Sequence, residues 1–139
     1  MSFDRADFES TVGALRAIAE PTRLRIIALL RHGECSVSDL CEILGQSQPR
    51  ISRHLRLLGE SGLITRHREG TWAFHRLTVN PSLTPIIDAS IPDDEDAVLR
   101  SDLERLGEVR VRRAAAAHDH FAAIAPLWDT ERSLLVDDE

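Results

Sequence analysis

Between residues 47 and 56 the chain reads Ser-Gln-Pro-Arg-Ile-Ser-Arg-His-Leu-Arg. An arginine guanidinium is a planar fork of N–H donors that pairs with two acceptors at once, on guanine or on a phosphate, and a glutamine amide does the same for adenine. At about 100° per residue, Ile51, Leu55 and Leu58 share one side of a helix, and Arg50, Ser52, Arg53 and Arg56 fall away from it. The chemistry on offer is recognition of a polyanion. A major groove about 12 Å wide admits such a helix, whose N-terminal residues reach base edges. Gln48, Arg50, Ser52 and Arg53 are therefore expected at bases, Ser47, Arg56 and the helix N-terminus at phosphates, and His54 within the same DNA-binding set. Arg66, Arg68 and Arg76, farther along, are expected on the flanking backbone or minor groove. Bond-making chemistry has no comparable signal. The chain shows no Gly-rich phosphate loop, nucleophile elbow or metalloprotease His pair, and Asp93-Asp94 reads as a solvated helix start.

A reading helix needs a scaffold, and the flanking sequence supplies one. Phe8, Val12, Leu15 and Ile18 recur at helical spacing and mark a first amphipathic helix. Pro21 sits where a second helix can begin without the N–H it lacks, and Leu24, Ile27, Ala28 and Leu30 follow before His32-Gly33 closes it. Ser36 and Asp39 form a capping-box pair for a third helix, with Val37, Leu40 and Leu44 on its core face and Gly45 at its end. Only Gly45 and Gln46 then precede Ser47, which starts the fourth helix. Gly62 stops it. A short helix, a tight Gly-containing turn and a second helix form a helix-turn-helix.

Beyond Gly62 the period changes from helical to alternating. Residues 63–68 and 71–77 read as two strands joined at Glu69-Gly70. The fold class expected is mainly α with a β-hairpin wing (α+β), a winged helix-turn-helix over residues 1–80. Residues 81–139 are expected to form a helical dimerisation or connector segment. Its acidic start at Pro92-Asp93-Asp94-Glu95-Asp96 suits a helix dipole. Leu99, Leu103, Leu106 and Val109, then Ala114, Ala117, Phe121, Ile124 and Trp128, are spaced for one long helix or two, and Pro126 should end or kink it.

Charge distribution supports the same reading. The net charge is −6, yet residues 44–80 hold six arginines against two glutamates, a local balance of +4, while residues 81–139 hold six arginines against fourteen acids. Screening limits exposed charges to about 8 Å at physiological salt, so a basic stripe on an acidic protein still attracts phosphate. Aromatics are 4% of the chain, too few for a stacking wall that would hold single strands. No apolar run approaches the roughly 20 residues that span a bilayer, and the mixed N-terminus does not read as a secretory signal. The cytoplasm is the compartment expected, with Cys35 and Cys41 held there as thiols.

Cys35-Ser36-Val37-Ser38-Asp39-Leu40, then Leu44 through Leu55, then Ser61-Gly62-Leu63-Ile64, together with Glu20-Pro21-Thr22-Arg23-Leu24-Arg25, resemble the ArsR/SmtB family of bacterial repressors over about residues 10 to 80. The resemblance implies a homodimer joined by its first and last helices, which binds a partly palindromic operator in double-stranded DNA and is released by an inducer. It also raises a second possibility, a repressor that answers to zinc or arsenite. The family's metal box resembles Glu-Leu-Cys-Val-Cys-Asp, and Ser36 and Ser38 stand here where the thiols would be; a serine hydroxyl is no useful ligand for a soft metal. Cys35 is expected to pack on Leu40. Cys41 reads as a small buried hydrophobe. The family's other metal site draws on Asp and His of the last helices, and only His118, Asp119 and His120 are candidates. His118 and His120 point about 200° apart. They read as exposed polar residues, so neither metal nor cofactor is expected. Residues 103–129 further resemble the connector of family members that continue into an S-adenosylmethionine-dependent methyltransferase. Methyl transfer would then belong to a longer parent and not to these residues.

Overall fold

The computed structural model describes residues 5–92 and 95–123. Among the described residues six helices and three strands follow in the order α1 (Arg5–Ile18), α2 (Pro21–Leu30), β1 (Cys35–Ser36), α3 (Val37–Leu44), α4 (Gln48–Glu60), β2 (Ile64–Glu69), β3 (Trp72–Leu77), α5 (Thr84–Ser90) and α6 (Ala97–Ala123). This is a winged helix-turn-helix. The chain divides into two compact units, Met1–Leu106 and Gly107–Glu139.

Local chemistry sets the helix ends. Ser36 accepts a hydrogen bond from the Asp39 N–H at 3.1 Å while its own N–H donates to the Asp39 carboxylate at 3.1 Å, so the expected capping box is formed. Gly45 closes α3 at φ +65°, and its N–H donates to the Cys41 carbonyl. A side chain there would meet the strain of left-handed backbone, which glycine escapes. The turn is pinned a second time, by Gln46 Nε2 donating to Thr22 Oγ1 at 3.0 Å. Pro21 opens α2, and the Glu20 carboxylate caps it by accepting from the Arg23 N–H at 2.8 Å.

The core of the first unit lies among α2, α3 and α4, where Ile26, Ile27, Leu40, Ile43, Ile51 and Leu58 are fully buried. Burial of each such side chain stabilises the fold by about 1.5–3 kcal/mol. Three expectations need correction. Val37 is half-exposed, and Ile43 takes its place on the core face of α3. The hairpin turns at Gly70-Thr71, not Glu69-Gly70, because Glu69 pairs with Trp72 and Gly70, at φ +60°, fills the first central position. A third strand joins the sheet, in the order β1-β3-β2, with Cys35 paired to His75 and Ser36 to Phe74. Cys35 is thus a fully buried strand residue ahead of α3.

The stripe on α1 behaves differently from a core face. Ile18 is buried with Ala14 and Ala17, but Phe8 is 71% and Leu15 49% exposed. On α6, Leu99, Leu106 and Val109 are buried and Leu103 is half-buried, whereas Ala114 and Ala117 are exposed. Ile124, Pro126 and Trp128 lie outside the described residues, as do the side chains of Asp119, His120 and Phe121. Among the described residues no helix is long and apolar enough to cross a membrane.

Candidate nucleic-acid interface

Helix α4 is held by one side only. Ile51 and Leu58 are fully buried and Leu55 is 4% exposed. Gln48, Arg50, Ser52, Arg53 and Arg56 are exposed, and none of them forms a side-chain hydrogen bond or ion pair among the described residues. Several arginines outside α4 are engaged. Arg25 holds Asp102, Arg23 donates to the Ala17 carbonyl, and Arg105 donates to the Ile43 carbonyl. An arginine without a partner keeps all its donors for an incoming acceptor. Ser47 is the N-cap residue of α4 but makes no side-chain cap bond, and Pro49 follows in the first turn. The N–H groups that open the helix are left for an anion.

His54 stands apart from this face. It is half-buried, with Nδ1 3.3 Å from Arg23 Nη1 and 3.8 Å from a Glu20 carboxylate oxygen. Burial holds its pKa below the usual histidine value, opposed by Glu20 and assisted by Arg23, Arg53 and Arg50. A neutral ring then accepts from Arg23 and ties α4 to the α1–α2 corner. The Glu20–Arg23–His54 cluster escaped the sequence reading, although an acid directly before Pro21 was a legible cap signal.

On the wing, Arg66, Arg68 and Arg76 are all exposed and without a partner among the described residues. Strand pairing divides them. Arg66 is directly opposite His75 and Arg68 opposite Ala73, so both share the sheet face that also carries Ile64; Arg76, opposite Thr65, lies on the other. The three candidates therefore do not converge on one point. Arg66 lines a cleft together with Ser52 and Arg56 of α4, and Arg68 lies farther out toward the hairpin tip.

The metal-box positions are occupied by structural roles. The Ser36 hydroxyl is buried in the capping box, and Cys35 pairs along β3. Burial raises the Cys41 thiol pKa, which disfavours the thiolate a metal would need. Among the described residues no group of three His, Cys, Asp or Glu side chains is placed to hold an ion.

A basic, one-side-anchored helix beside a hairpin places the chain in the class of winged-helix proteins. The model of the bacterial regulatory protein, arsR family, matches residues 20–66, the span from the α2 cap into β2. The arsenical resistance operon repressor of Escherichia coli (strain K12) is 52% identical over 64 residues, covering 45% of this chain and 55% of that one. The arsenic resistance transcriptional regulator ArsR1 of Pseudomonas putida is 38% identical over 101 residues, covering 70% of this chain and 77% of that one. Among solved structures, the homodimeric winged helix-turn-helix DNA-binding domain (fragment 1–100) Mb0332 from Mycobacterium bovis superposes with a TM-score of 0.56 at 26% identity, over 64% of this chain and 83% of that one. The chain belongs to the arsR family. It spans only about half the length of the Escherichia coli repressor that it matches.

Proposed function

We propose that the protein is a homodimeric, DNA-binding transcriptional repressor of the cytoplasm, without catalytic activity, that holds a partly palindromic operator and releases it to an inducer. The observation that carries this is the division of α4, one face locked by Ile51, Leu55 and Leu58 and the other presenting Arg50, Arg53 and Arg56 unpaired. Gln48, Arg50, Ser52 and Arg53 read bases in this account, while Ser47, Arg56, Arg66, Arg68 and Arg76 hold phosphates. His54 acts on the base readers at second hand, by fixing the helix against Arg23. Residues 1–80 form the DNA-binding part and 81–139 the dimerisation segment, and α1 shares in the dimer contact. In a dimer the two copies of α4 would enter successive major grooves about 34 Å apart.

The test is selection of bound duplexes from a random pool, followed by anisotropy titration of the winners between 50 and 200 mM salt. An enriched sequence with two-fold symmetry is expected. Its affinity should fall by about 10³–10⁵ over that range if six to ten phosphates are contacted. An unenriched pool bound without salt dependence would refute the reading.

A further inference from the structure

Between α4 and the inner face of the wing lies a cleft of about 390 Å³, a volume within the ordinary range of small-molecule sites. Its floor is apolar: Leu55 and Ile64 are 4% and 5% exposed, and Ala73 is half-buried beside them. Its rim is cationic, with Arg56 from the helix and Arg66 from the sheet, neither paired to an acid among the described residues. The wall includes His75, directly opposite Arg66 on the neighbouring strand. His75 is 8% exposed, and its Nδ1 is buried without a hydrogen-bond partner among the described residues. Such an atom costs free energy until some polar group meets it. Its pKa is lowered by burial and then by Arg66, so the ring is neutral and adds no positive charge to the rim.

We propose that this cleft binds a small organic carboxylate with a flat apolar body, the carboxylate on Arg56 and Arg66 and the body over Leu55, Ile64 and Ala73. Two guanidinium groups above a carbon-lined floor fit an amphipathic monoanion better than phosphate, which has no apolar surface to bury. Occupation would take Arg56 and Arg66 away from DNA and couple ligand binding to release. That second half rests on the proposed DNA-binding role; the first half does not.

The experiment is an amide NMR titration of the whole chain without DNA, using 2-naphthoate, neutral 2-naphthol and inorganic phosphate as probes. Naphthoate should shift the amides of Leu55, Ile64, Ala73 and His75 saturably, naphthol should bind about tenfold more weakly, and phosphate should leave them unmoved. Arg66→Gln, at an exposed position, should keep a native spectrum and lose about tenfold in naphthoate affinity. Absence of saturation, naphthol binding as tightly as naphthoate, or phosphate shifting the same amides would each overturn the proposal, the last by making the cleft a seat for the DNA backbone. A second arm adds naphthoate to protein carrying a labelled duplex. Displacement supports the coupling, and retention of the duplex at naphthoate saturation overturns it. A protein that binds naphthoate but no duplex would sink the DNA-binding reading alone.

Discussion

Asp102, only 1% exposed, receives two hydrogen bonds of 2.8 Å from Arg25, one from Nε and one from Nη2, and this fork joins α2 to the start of α6. The pairing raises the Arg25 pKa by direct hydrogen bonding to the carboxylate. Arg105 approaches the same carboxylate at 4.0 Å and donates to the Ile43 carbonyl of α3. The two partners are not equally placed: the Arg25 side chain is 25% exposed and that of Asp102 2%. Removing the arginine strands a buried carboxylate, whereas removing the carboxylate leaves a guanidinium that water can reach. Arg25→Met should therefore destabilise the fold more than Asp102→Leu. About 3 kcal/mol is expected for the first, the lower end of what breaking a buried pair costs. Urea melts of the two variants check the order, and equal losses would contradict it.

Most of α2 through β3 was legible because its signals are local. The Ser36–Asp39 box, Gly45 at the turn and the alternation after Gly62 each act over a few residues, and each is found where its chemistry predicts. What escaped the sequence has its partner far along the chain. Strand β1 is two residues long and exists only because β3 pairs with it. Asp102 looks like one more charge on a charged helix until Arg25, 77 residues away, is set against it. His54 shares the polar half of α4 by spacing, and only the α1–α2 corner reveals that it is held. The cross-strand partners of the wing arginines depend on where the turn falls: a turn at Glu69-Gly70 would set Arg66 opposite Ala73, whereas the turn at Gly70-Thr71 sets it opposite His75.

Arg53 and Arg56 should separate base reading from phosphate holding. Both are exposed and without a partner among the described residues, so neither substitution should lower the melting temperature. Arg53→Ala should cost about 1–3 kcal/mol on the selected operator and relax the preference at one position. Arg56→Ala should weaken selected and scrambled duplexes alike and reduce the salt slope by about one. Competition titrations with both duplexes check this, and identical profiles for the two variants would refute the division.

Acid should destabilise the protein through its histidines. His75 and His54 both have folded-state pKa values below the 6.5 of the free side chain, burial being the largest cause in each. Their neutral forms are favoured by folding. Above that value neither state is protonated and stability is at its full level; as pH falls below it the unfolded chain takes up protons that the folded one refuses. The melting temperature should drop between pH 7 and pH 5, and His75→Phe should flatten part of the drop because its ring no longer titrates. A pH-independent melting temperature in the wild-type chain over that interval would rule the effect out.

The exposed stripe on α1 yields the test of assembly. Phe8 is 71% exposed, Leu15 49% and Val12 36%, a run of large apolar side chains on one helix of a single chain. Apolar area left in water forgoes about 25 cal/mol per Å², which a second copy would recover by covering it. Because these side chains add little to the core of their own chain, Phe8→Asp and Leu15→Asp together should leave the fold intact while placing charges inside the proposed dimer contact. Sedimentation should then show the wild type as a dimer and the double variant as a monomer with an unchanged circular dichroism spectrum. Operator affinity should fall as well, since one reading helix must then bind without its partner at the second half-site. A double variant that sediments as a dimer would place the contact elsewhere and remove α1 from the interface.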